Sequence, residues 1–101
     1  MAKSITNSGL VANTVDSFST AAYRSGEYLI QVSNTTNFQS SKILILHDGV
    51  TSSITEYGIL TSNGLMGTLS TSVAAGSVNL NFTASSAGVM TIKIVRDLIT
   101  A

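Results

Sequence analysis

Turn signals punctuate this chain about every ten residues, and no segment between them keeps a helical apolar period over three turns. Asn34-Thr35-Thr36-Asn37, Asp48-Gly49, Ser62-Asn63-Gly64, Ala74-Ala75-Gly76 and Ser85-Ser86-Ala87-Gly88 are such signals. Asp48-Gly49 is the strongest, because glycine accepts the positive φ that a tight turn needs. The segments they bound alternate. Tyr28, Ile30 and Val32 share one face, opposite Glu27, Leu29, Gln31 and Ser33. Val78, Leu80, Phe82 and Ala84 point one way, and Ser77, Asn79, Asn81 and Thr83 the other. Met90, Ile92 and Ile94 repeat the pattern in a final long strand over 89–99. This period of two predicts strands with one buried face. The fold class is therefore all-β: a small antiparallel sandwich or barrel of 6–8 strands.

Ile43 to Leu46 departs from alternation, and a short continuous apolar run predicts a strand buried on both faces. Thr51 to Tyr57 is its hairpin partner, with register set by the Asp48-Gly49 turn. Leu65 to Val73 reads as a weaker strand. Between residues 15 and 25, Val15 and Phe18 are core candidates three apart. Asp16, Ser17 and Ser19 beside them can bond nearby backbone and hold a turn or one helical turn. Residues 1–14 read as an N-terminal extended arm, and 15–101 as the β domain. Ile5, Leu10 and Val11 interrupt the arm's polar residues. The arm either frays or ties down as a strand on a neighbouring sheet edge.

The chain has 101 residues, of which 44% are hydrophobic and only ten are charged, five of each sign. Its polarity comes from 16 serines and 13 threonines. A surface so thinly charged is poorly protected from association, which predicts burial in an assembly. With no basic cluster, the usual attraction to nucleic acid or an anionic membrane has no source. No apolar run approaches membrane-spanning length. Cysteine is absent, so no disulfide or thiolate site forms. Polar Ser4 and Thr6 stand where a signal peptide would be apolar, which predicts synthesis and folding in a cytoplasm.

Chemistry finds little purchase. His47 is the sole histidine, and no Gly-x-Ser-x-Gly segment presents a nucleophile. His47, Asp48 and Glu56 could approach one another around the hairpin, but their spacing matches no metal signature. The five carboxylates fall in different elements, so none forms a glycosidase pair by sequence. The expectation is no catalytic, cofactor or metal residue. Arg24, His47, Asp48 and Gly49 read as structural instead. His47 would bond backbone at a strand end, and Asp48-Gly49 would form a rigid corner. Arg24 would fix a strand entrance, either through Glu27 or by holding backbone carbonyls.

Thr14-Val15-Asp16-Ser17-Phe18-Ser19-Thr20-Ala21-Ala22-Tyr23-Arg24-Ser25, followed by Tyr28-Leu29-Ile30-Gln31-Val32, resembles a domain of virion structural proteins of tailed phages, especially phages of cyanobacteria and marine bacteria. Leu46-His47-Asp48-Gly49, Thr55-Glu56-Tyr57-Gly58 and Thr91-Ile92-Lys93-Ile94-Val95-Arg96 fit the same domain, so the resemblance covers about residues 14–97. It implies a non-enzymatic virion protein made in the host cytoplasm. The first expectation is a capsid decoration (cement) protein on the capsid exterior, stabilising the shell as a homotrimer. Its partners would be the major capsid protein or other virion proteins, with Ile5, Leu10 and Val11 of the arm reaching a neighbour. The alternative is a tail, neck or fibre subunit. A third reading is a carbohydrate-binding module for host recognition. Such a module would use exposed aromatics, whereas Tyr28 and Phe82 read as core.

Overall fold

The computed structural model of the chain describes residues 2–7, 12–85 and 88–101. It is all-β, with strands β1 (Ala2–Asn7), β2 (Ala12–Ser19), β3 (Tyr23–Ser33), β4 (Phe38–His47), β5 (Ser52–Thr61), β6 (Gly67–Ala74), β7 (Ser77–Ala84) and β8 (Gly88–Thr100). They form two antiparallel sheets, one of five strands ordered β1-β8-β3-β4-β5 and one of three ordered β2-β7-β6. The chain crosses between sheets after β1, β2, β5 and β7. Hairpins or meander turns join β3-β4-β5 within one sheet and β6-β7 within the other. At the β6–β7 turn, Ala75 (φ 52°) and Gly76 (φ 77°) both take the left-handed conformation that a two-residue hairpin requires.

The inward faces meet as the alternation predicts. Tyr28, Ile30 and Val32 of β3, Ile92 and Ile94 of β8, and Ile43 and Ile45 of β4 pack from one side. Val78, Leu80, Phe82 and Ala84 of β7 close the core from the other, with Val15 and Phe18 of β2.

Two sequence expectations fail here. Residues 15–19 form no turn or helical turn; they are β2. A register shift between Thr14 and Asp16 along β7 makes Val15 the extra residue of a β-bulge. A bulge lets residues three apart face the same way, so Val15 and Phe18 are both buried without a helix. Ile43 to Leu46 is not buried on both faces either. Only Ile43 and Ile45 are covered, while Leu44 and Leu46 stay 43% and 54% exposed.

The segment expected as an arm divides. Residues 2–7 pair as β1 with β8, Ala2 opposite Lys93 through Asn7 opposite Gly88, and residues 12–14 open β2. Leu10, Val11 and the side chain of Ile5 lie outside the described residues.

A buried amide ties the crossover between β5 and β6 to the first sheet. Gln39 is 2% exposed, and its Oε1 accepts a hydrogen bond from the Met66 backbone N–H at 2.7 Å. Gln39→Leu fills the space but leaves that buried N–H without an acceptor, a loss of about 1–3 kcal/mol. Thermal melts should show a fall of roughly 5–15 °C for a domain of this size.

Candidate assembly interface

The two outer faces of the sandwich differ sharply. On the three-stranded sheet, the outward residues of β6 and β7 are Thr68, Ser70, Ser72, Asn79, Asn81 and Thr83, interlinked by bonds such as Asn81 Nδ2 to Ser72 Oγ at 3.2 Å. Neither strand exposes a large apolar side chain. The exposed large apolar residues of the paired strands lie instead on the five-stranded sheet.

Cross-strand register arranges that second face in rows. Ile99, Ser25, Leu46 and Ser53 lie side by side across β8, β3, β4 and β5. Next come Asp97, Glu27, Leu44 and Thr55, and then Val95, Leu29, Lys42 and Tyr57. Lys93, Gln31, Ser40 and Leu60 follow, and beyond them Thr91, Ser33 and Phe38. Leu29, Val95 and Ile99 are 45%, 65% and 64% exposed. Small Ser25 between larger Leu46 and Ile99 leaves a groove of about 590 Å³ that reaches Glu27 and Asp97. The face thus sets Leu29, Leu44, Leu46, Val95 and Ile99 among Glu27, Asp97 and Lys42 in adjacent rows, and exposed apolar area of this kind is a feature of binding surfaces.

The residues around the His47 corner hold this face in place. His47 is 3% exposed, with Nε2 2.6 Å from the Tyr23 carbonyl oxygen. Its Nδ1 accepts from the Gly49 N–H at 2.9 Å, so the ring carries its proton on Nε2 and donates it to Tyr23. Both ring nitrogens serve main chain, and Phe18 packs beside the ring at 6.2 Å. Arg24 reaches the His47 carbonyl from Nη1 at 3.4 Å.

The turn that follows runs over four residues, with His47 paired to Ser52. The Asp48 carboxylate organises it, accepting the Val50 and Thr51 N–H groups at 2.9 and 2.7 Å and the Thr51 hydroxyl at 3.1 Å. Gly49 takes φ 97°. The backbone bonds from Thr51 and Val50 hold the Asp48 carboxyl down at about 2. A carboxyl lowered on folding stabilises the fold above its unfolded value of about 4, and that contribution is lost as pH falls from there through about 2. Asp48→Asn should therefore flatten the acid limb of a stability–pH curve in that window, as urea melts would show.

His47, Asp48 and Glu56, the three donors weighed as a possible metal set, do not converge. Glu56 Oε2 accepts from Ser41 Oγ at 2.6 Å, away from the Asp48 turn. Among the described residues, no group of three His, Cys, Asp or Glu could hold a metal ion. Tyr28 and Phe82 are core, whereas Phe38 and Tyr57 are exposed on the five-stranded face.

Asp16 is the residue that sequence reasoning misplaced. The bulge turns it inward, where its Oδ2 accepts from the Tyr28 hydroxyl at 2.7 Å and from Arg96 Nη1 at 2.8 Å. Arg96 also donates to the Ser17 carbonyl at 3.1 Å. This cluster ties β2 of one sheet to β3 and β8 of the other. Its one sequence signal is scarcity: a lone Asp among the hydroxyls of β2.

No protein-family model matches the chain, and neither does any curated protein. The fold is similar to part of the tailspike protein of Acinetobacter phage vB_ApiP_P1, with a TM-score of 0.66 at 16% identity over 99% of this chain and 22% of that one. It is also similar to part of the tailspike of Acinetobacter baumannii phage AM24, with a TM-score of 0.52 at 10% identity over 93% of this chain and 25% of that one. The chain thus spans a quarter or less of the length of these tailspikes, and what it shares with them is a fold.

Proposed function

We propose that the chain is a structural domain of a tailed-phage virion, of tail or fibre type, that assembles through the outer face of its five-stranded sheet. The asymmetry of the two outer faces carries this reading. One is hydroxyl and amide, suited to water, and the other gathers Leu29, Leu44, Leu46, Val95 and Ile99 beside a few charges. The likeness to tailspike folds favours the tail over the capsid shell, so the tail, neck or fibre alternative replaces decoration as the first reading. A structural role is supported by His47, whose two ring nitrogens both serve main chain, and by Asp16 and Asp48, which hydrogen-bond within the fold. Partners are copies of the chain and other virion proteins. Ile5, Leu10 and Val11 are still proposed to touch a neighbour, and because residues 2–7 pair with β8 as β1, substituting Leu10 and Val11 by Ser, rather than deleting the segment, should weaken particle binding with the fold intact.

The test is copy number and place. Quantitative mass spectrometry of purified virions should count a few to some dozens of copies, and gold-labelled antibody should mark the tail. Hundreds of copies spread over the head would overturn this reading and restore the decoration role.

A further inference from the structure

We infer that the five-stranded face is covered by the same face of a second copy of this chain, packed about a twofold axis that runs across the strands at the Leu29 row. The inference rests on the proposal that this face is an assembly interface, and adds the occupant and the symmetry.

The charge pattern selects the occupant. One row to one side of Leu29, Glu27 and Asp97 are cross-strand neighbours, and one row to the other side lies Lys93. Like charges directly opposite each other are unfavourable on a free sheet. Asp16 and Arg96 form the one ion pair among the described residues, and neither lies in these rows. Rotation about the proposed axis lays the acidic row of each copy over the Lys93 row of the other. It places Asp97 against Lys93 twice, as an isologous interface demands. The same operation brings Leu29 and Val95 onto their own copies at the centre and Leu46 over Phe38 at the flank. Lys42 lies in the same row and so falls on its own copy, a like-charge contact set against the two Asp97–Lys93 pairs. An axis parallel to the strands would instead lay acid upon acid.

Size is consistent. Four strands about 4.8 Å apart and nine residues at about 3.4 Å each give a face of roughly 500 Å² in projection. Accessible area exceeds projection, which brings each side near the lower end of specific interfaces. Sheets packed face to face bury side chains as a sandwich core does.

Sedimentation velocity across the micromolar range tests it. The wild-type chain should run as a dimer. Leu29→Lys should run as a monomer with an unchanged far-ultraviolet circular dichroism spectrum. Asp97→Lys should weaken dimerisation about tenfold or more, and the swap Asp97→Lys with Lys93→Asp should restore it. A monomeric or trimeric wild type, a dimer indifferent to Leu29→Lys, or a swap that restores nothing overturns the twofold pairing. A monomer that still labels the tail overturns the pairing alone. A dimer with these properties that is missing from virions supports the pairing and removes the virion reading it rests on.

Discussion

Phe82→Ala should lower the melting temperature by about 15 °C or more, the largest effect expected of any single side-chain truncation here. Phe82 is fully buried in the C-terminal half of β7, the central strand of the smaller sheet, between β2 and β6. Its main-chain neighbours are Asn13 and Leu69, so the ring is the principal bulk that this sheet sends into the core at that level. Truncation removes the transfer energy of the ring and leaves a cavity that three strands pinned by hydrogen bonds cannot close, a combined loss of about 3–5 kcal/mol. That is a large part of the total stability of a small domain. Gly67 shows how tightly the site is packed. A Cβ there would overlap both the Phe82 ring and the Thr83 carbonyl oxygen. Gly67→Ala should therefore destabilise the wild type. It should still do so beside Phe82→Ala, because the backbone carbonyl cannot move aside as a side chain can. Urea melts of the two single variants and the double would read both effects.

The parts of this fold that sequence made legible are those where one face of a strand is buried. Val78 to Ala84 and Tyr28 to Val32 alternate because the pleat alternates, and the core on one side filters residue type at every second position. Legibility failed wherever a residue answered to something outside its own strand. Val15 and Phe18 mimic a helical turn because a bulge adds one residue, and the need for that bulge is set by β7, more than sixty residues away. Asp16 looked like a local turn former, yet its partners are Tyr28 and Arg96 on the opposite sheet.

Ile43 to Leu46 is the most instructive error. The residues are apolar on both faces, which sequence alone equates with a doubly buried strand. In the chain by itself, Leu44 and Leu46 are exposed. A hydrophobic pattern reports that a face is to be covered, and not whether the cover comes from the same chain. The low charge count predicts assembly, and the outward half of this strand belongs to the face proposed for it. The His47 corner was partly readable. A strand-end histidine with backbone partners follows from its place beside a turn, but its contact with the Tyr23 carbonyl depends on β3 lying beside β4.

Asp16→Ala should lose about 2–3 kcal/mol, and most of that loss should vanish when Tyr28→Phe is added. Tyr28 is fully buried, and its hydroxyl donates to Asp16. Without the carboxylate, a buried phenol has no acceptor, which costs about 1–3 kcal/mol, and the half-exposed Arg96 loses a contact of smaller worth. Replacing Tyr28 by Phe in that background removes the orphaned group, so the double variant should be nearly as stable as Tyr28→Phe alone. Additive losses in melts of the four proteins would show that the contact is not coupled in this way. Ionisation gives an independent handle on the same atoms. Burial first, and then the hydrogen bond and negative charge of Asp16, push the Tyr28 phenol well above the ordinary tyrosine range. A group raised on folding stabilises fully below its unfolded value, about 10 for tyrosine, and loses that contribution as pH rises from there toward the folded value. Above about pH 10 the unfolded chain gives up a proton that the folded chain keeps, so stability should fall by about 1.4 kcal/mol per pH unit from this residue alone. Subtracting the Tyr28→Phe curve from the wild-type curve isolates that slope from the other tyrosines and the lysines. Parallel curves through pH 11 would mean that the phenol ionises alike in both states, and the cluster would then not be the clasp between sheets that its geometry describes.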